Sequence, residues 1–498
     1  MKRASEIHFF QSHHWKISEV QRSKKETPVP PMLRKTKIIA TLGPATESPE
    51  TIRSLIDAGV DVFRLNMSHA RHDWTRDVVA RVREQSTLAD RRTATLVDLQ
   101  GPSIRTGDLA EKLAISPGDE VEFRNEDLPP AQTFSTTTNY DGLSEDVGLG
   151  DVMLVDNGVL HFEVIRREPG RLVGRALTGG ELGSRRHINL PGVRVNLPSL
   201  TGKDHLDIAL AAELDVDFVA ISFVRDAAHV GDLRDVLAAR GCQARIVSKI
   251  EDQEAVKHLR EIVEVSDAVM VARGDLGIEV HIEELPVIQR TIVRECARVG
   301  RKVIVATHML ESMIENPGPT RAEVTDVANA IFEQADAIML SGETSVGRYP
   351  VQCVEIMGRI ARRMEREPGA RFCDQIELRT EKQQTVRSAV GLADSLPGSI
   401  LVVFTARGVL ANYVSHQRPI HSPVFAFSPD ERVCRALCLN RAVTGFPMTL
   451  ADRPEETIHR AIEFLRGRGL VQTGDPVVVL SDLLTGDFDT DAILLRKA

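Results

Sequence analysis

From Lys37 onward the chain alternates short apolar runs with amphipathic segments. The runs are KIIATLG (37–43), VFRLN (62–66), ATLVDL (94–99), FVAISF (218–223), RIVSK (245–249), AVMVA (268–272), VIVAT (303–307) and AIMLS (337–341). Runs this short and this apolar suit strands buried on both faces. Most are followed by a helical pattern, as in ESPETIRSLIDAG, REIVEVSD and ELPVIQRTIVRECARVG. Alternating strands and helices predict a parallel sheet, and eight such units predict a closed (β/α)8 TIM barrel.

The rhythm breaks after the third run. Residues 102–197 carry little helical pattern and instead hold DEVEFRN, DVMLVDNG, LHFEVI and RLVGRAL, which read as strands and hairpins. They predict a small β-barrel domain inserted in the barrel of residues 34–101 and 198–369, placed to act as a lid; a passive insertion is the plainer alternative. Pro368-Gly369 marks a linker. Beyond it, residues 370–498 show a second α/β pattern: TVRSAVGLADSL as a helix, and ILVVF, VFAF and VVVLS as strands of an open parallel sheet. Residues 1–33 are basic, irregular and end in Pro28, Pro30 and Pro31, the pattern of a mobile extension.

Composition narrows the function. Charged residues make up 27% and hydrophobic residues 42% of 498, the balance of a globular protein with substantial cores. A net charge of −9 and an aromatic content of 4% argue against nucleic-acid binding. No apolar run reaches the roughly 18 residues of a membrane span. The six cysteines form no C-x-x-C pair; Cys434 and Cys438 could share a helix face, but two thiols make a poor zinc site, so buried reduced thiols are expected. With no signal-peptide pattern, the expected compartment is the cytoplasm. That expectation weakens an adhesion reading of the triplet Arg273-Gly274-Asp275.

In a barrel of this kind chemistry gathers where the strands end. Those ends carry Thr41, Arg64, Asn66, Ser68, Asp98, Lys249, Glu251, Arg273, Asp275, Thr307, His308, Ser341 and Glu343. Any one of them could be a solvated rim residue; several ends converging on one mouth imply a shared polar pocket. Lys249 and Glu251 stand two apart, as do Arg273 and Asp275, so an extended backbone would aim each pair one way. Glu251 and Asp275 suit a hard divalent ion that takes its remaining ligands from water and substrate. Gly274 would let backbone amides approach an anion. With Lys249 and Arg64 as fixed cations, the set is equipped for a phosphoryl group in flight. Asn66, Ser68 and Asp98 offer oxygens to a second, weakly bound cation.

At these residues the chain closely resembles the pyruvate kinase family. The resemblance runs in order through TKIIATLGPATES, DVFRLNMSHA, VDLQGPSIRTG, HINLPGVRVNLPSLTGKD, DFVAISFVRDA, IVSKIEDQEAV, VMVARGDLGIEV, ATHMLESMIENPGPTRAEVTDVANAI and AIMLSGETSVGRYP. It implies transfer of the phosphoryl group of phosphoenolpyruvate to ADP, giving pyruvate and ATP in glycolysis. Lys249 would stabilise the transferring group and the enolate; Glu251 and Asp275 would hold Mg2+ or Mn2+. The backbone around Ala272, Arg273 and Gly274 would take the substrate carboxylate, with Thr307 beside it. Arg64 would bridge both substrates. Asn66, Ser68, Asp98 and the carbonyl of Leu99 match a potassium site, and Asn66, His69, Arg105 and Arg186 match nucleotide-side positions. The enolate's proton is assigned to water near Thr307 and Ser341. A homotetramer is also implied, with neither nucleic acid nor membrane as partner.

The chain departs from the family at several points. Leu99 and Gln100 follow the potassium-independent pattern, but Ser103 supplies neither the carboxylate nor the ammonium seen there, which leaves K+ open with a lean towards stimulation by a monovalent cation. His308 stands for a usual Gln, Asn157 for an Asp and His187 for a Gly. In the C-terminal part, FTARGVLANY keeps only Thr405 of a hydroxyl-rich phosphate loop, and SDLLTGDFDTD is acidic, so activation by fructose 1,6-bisphosphate through these loops is not expected. Arg407 is read as a surface arginine. Two other readings stand beside the kinase: a Mg2+-dependent lyase-type barrel acting on pyruvate or oxaloacetate, and a non-catalytic relative. The first would lack the lid and nucleotide residues. The second would need the loss of Lys249, Glu251 or Asp275.

Overall fold

A computed structural model describes residues 33–451, 453–481 and 492–498. The reading of the first 33 residues as a mobile extension falls outside that set for residues 1–32, as does all of the acidic C-terminal loop after Ser481.

Eight parallel strands close into a barrel in the order Lys37–Thr41, Ala337–Leu340, Lys302–Ala306, Ala268–Ala272, Arg245–Ile250, Phe218–Ile221, Ala94–Asp98 and Val62–Asn66. These are the eight apolar runs of the sequence. Alternate strand residues point in and out, so two cores form. Ile39, Leu96, Phe218, Val247, Met270, Ile304 and Met339 fill the lumen. Ile38, Phe63, Val97, Val219, Ile246, Val269, Val303 and Ile338 pack outward on the helices. The helix Pro49–Ala58 shows how tightly the sequence sets an element: Ser48 Oγ accepts from Thr51 N, Pro49 opens the first turn and Gly59 (φ 113°) ends it. The helix Leu285–Val299 likewise starts near a proline and stops at a left-handed glycine, Gly300.

Between the third and fourth barrel strands lies a six-stranded sheet whose members include Glu120–Arg124, Val152–Val155, Leu160–Glu168 and Arg171–Ala176, with a separate two-stranded ribbon beside it. Its own core holds Phe123, Met153, Phe162 and Leu172. At the far end of the chain a five-stranded sheet runs Val443–Pro447, Val424–Ser428, Ile400–Phe404, Pro476–Ser481 and Ala492–Lys497. Four strands are parallel, as expected; the last, Ala492–Lys497, is antiparallel. None of its six residues is fully buried, so this edge strand lacks the apolar run that marks the others in the sequence.

The C-terminal sheet packs under the barrel floor. Lys37 Nζ donates to Val443 O at 2.8 Å, and the Arg418 guanidinium grips Asp336 at 2.5 and 2.7 Å with both groups buried. All six cysteines are free, and four of them, Cys296, Cys353, Cys434 and Cys438, are buried. No helix among the described residues is long and apolar enough to cross a membrane.

Candidate functional site

A cleft of about 320 Å3 opens where the barrel mouth meets the inserted sheet. Arg64, Lys249, Glu251 and Asp275 line it from the barrel, and Arg105, Asp156, Arg186 and His187 from the inserted segment. Asn66, Ser68, Gln100, Ser103, Ser222 and Phe223 also line it.

Lys249 is the centre of a dense charge cluster. It sits one residue before the end of strand Arg245–Ile250, and Glu251 follows immediately after the strand. Lys249 Nζ lies 2.8 Å from Glu251 Oε1 and 3.4 Å from Asp98 Oδ1, and donates to Ser222 Oγ at 2.7 Å. Burial pulls its ammonium down, but Asp98, Glu251 and Asp275 outweigh that and hold it charged well above the usual lysine range. Asp98, 1% exposed, is opposed by burial yet held below the usual carboxylate range by Lys249 and Arg64; Arg64 Nε donates to its Oδ2 at 2.6 Å. Burial pushes Glu251 up to about 7 against the pull of Lys249, with Asp275 adding to the rise.

The donor set fits a divalent ion. Glu251 Oε1 is buried with no properly aligned hydrogen bond, while Oε2 accepts from Phe223 N at 2.6 Å. Asp275 has no side-chain hydrogen bond or ion pair among the described residues. Two carboxylates lining one cleft, Asp275 without a side-chain partner and Glu251 with lone pairs to spare, suit a hexacoordinate ion with several water and substrate ligands. The monovalent set fits in part. Asp98 Oδ1 is buried without a hydrogen bond. Leu99 O already accepts from Ser222 Oγ at 2.8 Å, and Asn66 Oδ1 from Ser68 N at 3.2 Å; each retains a second lone pair.

The sequence reading needs correction at Arg273. Alternation would have aimed Arg273 and Asp275 into one mouth, but the strand ends at Ala272 and residues Arg273–Glu279 turn into a helix. Helical rotation sends the Arg273 side chain away from the cleft. It is buried against Ala306 O, Thr307 O, Gln289, Met309 and Asp326, the last at 2.7 Å. It braces the turn that carries Thr307. That turn is strained: Thr307 has φ 63° and His308 φ 54°, and a β-branched residue rarely tolerates positive φ. Thr307 Oγ1 accepts from Gly274 N at 2.7 Å, so that amide is engaged within the protein. Ala272, Gly274 and Thr307 form this ledge beside the cleft rather than its wall. Ser341 Oγ is buried and has no hydrogen-bond partner among the described residues.

Other strand-end residues separate into groups. Glu343 is fully buried and receives the Ser341 and Leu310 amides at 2.7 and 3.0 Å; it shapes a turn and does not face the cleft. His69 is exposed and outside the cleft wall. Arg105 donates to Ser103 Oγ at 3.1 Å, and Arg186 lies 3.3 Å from Asp156. His187 rests 5.8 Å from the Phe223 ring, its imidazole pKa depressed by burial and by Arg105 against the pull of Asp275. Ser222 and Phe223 escaped the strand-end reading although they end the run FVAISF. Both are first neighbours of the charged cluster. The strand itself was the available signal, but a serine and a phenylalanine carry no formal charge to draw attention.

Comparison with known proteins agrees with this arrangement. A family model described as pyruvate kinase, barrel domain, matches residues 33–354, and one described as pyruvate kinase, alpha/beta domain, matches residues 383–494. Plastidial pyruvate kinase 2 of Arabidopsis thaliana is 38% identical over 461 residues, covering 91% of this chain and 78% of its own. The pyruvate kinase of Geobacillus stearothermophilus is 39% identical over 467 residues, covering 92% and 79%. A crystal structure of a pyruvate kinase from Cryptosporidium parvum superposes with TM-score 0.88 at 30% identity, covering 93% of this chain and 96% of that one. The chain belongs to the pyruvate kinase family.

Proposed function

We propose that the chain transfers the phosphoryl group of phosphoenolpyruvate to ADP, yielding pyruvate and ATP as in glycolysis. The observation that carries this reading is the buried Lys249–Glu251–Asp98–Arg64 cluster opening on a cleft that also holds Asp275. A divalent ion, Mg2+ or Mn2+, held by Glu251 and Asp275 would supply charge neutralisation at the phosphoryl oxygens. Lys249, kept protonated by three carboxylates, faces the phosphoryl group and then the enolate oxygen it leaves behind. Arg64, fixed by Asp98 and Thr41, faces the same group. The ledge of Ala272, Arg273, Gly274 and Thr307 orients the substrate carboxylate. Asn66, Arg105 and Arg186 serve the nucleotide, and His69 is assigned there by resemblance alone. Asn66, Ser68, Asp98 and the Leu99 carbonyl would hold K+. Water between Thr307 and Ser341 delivers the proton to carbon. Residues 102–197 act as a lid that excludes water from the cleft while the phosphoryl group is exposed. Residues 34–101 with 198–369 and residues 370–498 are the catalytic barrel and the C-terminal domain of a cytoplasmic homotetramer.

The lyase reading lacks a use for Arg64, Arg105 and Arg186 facing one cleft. The test is pyruvate formation from phosphoenolpyruvate with and without ADP in the presence of MgCl2. An ADP-dependent rate abolished by chelation upholds the kinase reading. Formation of pyruvate from oxaloacetate without ADP would favour the lyase.

A further inference from the structure

The inserted segment meets the barrel at two crossings of the chain, Gly101 to Ser103 and Val193 to Leu200. At the first, Gly101 N donates to Asp204 Oδ1 at 3.1 Å on the barrel side, and Ser103 O accepts from Asn139 Nδ2 at 3.0 Å on the inserted side. Gly101 has φ 71°, and a Cβ there would come 2.8 Å from Ser222 Cβ, so the barrel shuts this crossing in closely.

The second crossing is held differently. From Arg194 to Leu200 no backbone group bonds to another backbone group among the described residues. Val193, Val195 and Leu197 are half-buried, while Arg194, Asn196 and Pro198 are exposed. Such alternation marks an extended chain. The three apolar side chains pack against the core of the inserted sheet. In an extended chain the carbonyls of alternate residues point one way and the amide between them the other. Here the two directions lead to different parts of the molecule. Val195 O and Leu197 O accept from Nη1 and Nη2 of Arg225, on the barrel, at 2.5 and 2.6 Å. Asn196 N donates to Asp146 Oδ2 at 2.9 Å and to Tyr140 Oη at 3.2 Å, both in the inserted segment. The Tyr140 hydroxyl donates to Asp146 in turn; burial and that bond push the phenol up to about 12, so it keeps its proton.

Arg225 stands four residues after the strand Phe218–Ile221 and just before the helix Ala227–Ala239, which Asp226 caps. Its guanidinium has no ion pair and only these two carbonyl acceptors among the described residues. Burial, above all, and Arg194 pull its pKa down against Asp252 and Asp226, but a guanidinium stays charged throughout the accessible range. The same loop serves the cleft. Ser222 accepts from Lys249, and Phe223 N donates to Glu251 at 2.6 Å. Four consecutive residues, Ser222 to Arg225, thus hold the lysine, the carboxylate beside it and the second crossing.

We propose that Arg225 is a positioning residue for the nucleotide: by bridging Val195 O and Leu197 O it fixes how the inserted segment, and with it Arg105 and Arg186, sits over the cleft. The inference rests on the reading of residues 102–197 as a lid whose arginines serve ADP. Phosphoenolpyruvate is met by Arg64, Lys249 and the Thr307 ledge, all on the barrel, so its binding does not depend on the bridge. ADP is met in part from the inserted segment, so its binding does.

The test compares the parent with Arg225→Met and Arg225→Lys, as full chains, by hydrogen exchange and by calorimetric titration with ADP or with phosphoenolpyruvate, each in MgCl2. Methionine removes both bonds. Lysine keeps the charge, but one ammonium does not reproduce the two parallel contacts of a guanidinium. In both variants the amides of residues 193–197 should exchange about tenfold faster or more, with the strand Phe218–Ile221 unchanged. The Kd for ADP should rise about tenfold or more while that for phosphoenolpyruvate stays within about twofold, a split that general loosening of the fold does not produce. Each titration contains one substrate and needs no turnover, so a failure of the proposed reaction shows separately, as absent pyruvate formation. If Arg225→Met exchanges throughout because it does not fold, Arg225→Lys, the milder change, carries the comparison. Unchanged exchange at residues 193–197, or parent values in Arg225→Lys, would overturn the bridge. Faster exchange there with an unmoved Kd for ADP, equal weakening of both ligands, or no saturable ADP binding by the parent would overturn the positioning role.

Discussion

Ser222→Ala isolates the support of Lys249 from its charge partners. Ser222 is 3% exposed; its hydroxyl accepts from Lys249 Nζ at 2.7 Å and donates to Leu99 O at 2.8 Å. Alanine removes both contacts without changing any charge, and leaves Glu251 at 2.8 Å and Asp98 at 3.4 Å as the remaining anchors. The ammonium is then held by its two carboxylate partners alone. A hydrogen bond to a charged group is worth about 1.5–3 kcal/mol. If that difference is expressed in the transition state, kcat falls about 10- to 100-fold. KM for phosphoenolpyruvate should move little, because Arg64 and the Thr307 ledge are untouched. Steady-state pyruvate formation gives both constants, and a melting curve checks folding. A kcat within about twofold of the parent would show that Glu251 and Asp98 alone aim the lysine, and the reasoning would fail.

Three further outcomes are expected. Glu279 receives Asn189 Nδ2 at 2.9 Å where the inserted segment meets the barrel, and burial pushes its carboxyl up to about 7. The folded state therefore binds more protons than the unfolded chain between the ordinary glutamate range and pH 7. The resulting stability is full below that range and lost as pH rises through about 7. Melting curves from pH 5 to 8 should fall more steeply for the parent than for Glu279→Gln, and parallel curves would refute the assignment. Asp336→Asn strands the buried Arg418 and should cost about 3–5 kcal/mol in urea unfolding, most of it recovered by replacing both partners with apolar residues. Adding KCl to a potassium-free assay should raise the rate, since Asp98 Oδ1 is left without a hydrogen bond; a full rate without potassium would refute the assignment of a cation to the Asn66, Ser68 and Asp98 oxygens.

The barrel was legible because its strands are short, largely apolar runs, as burial on both faces demands. The antiparallel edge Ala492–Lys497 was not, because a half-exposed strand leaves only a weak alternation. Within the site, Lys249, Glu251 and Asp98 could be read directly, since charge at the end of an apolar strand has few explanations. Arg273 misled because the change from strand to helix falls between Ala272 and Arg273, and a period of two was carried one residue too far. Ser222 and Phe223 were overlooked for the opposite reason: one acts through a hydroxyl and the other through a backbone N–H, neither of which composition reveals. The resemblance to known kinases named most of the cleft, but not the hydroxyl that steadies its lysine.

The most direct measurement is the initial rate of ADP-dependent pyruvate formation by the parent and by Lys249→Met, with phosphoenolpyruvate, MgCl2 and KCl present. Lys249 as the fixed cation at the transferring phosphoryl group requires a loss of about a hundredfold or more in kcat, with a folded variant by melting curve. A folded Lys249→Met enzyme that turns over at the parent rate, or a parent with no ADP-dependent rate, would contradict it.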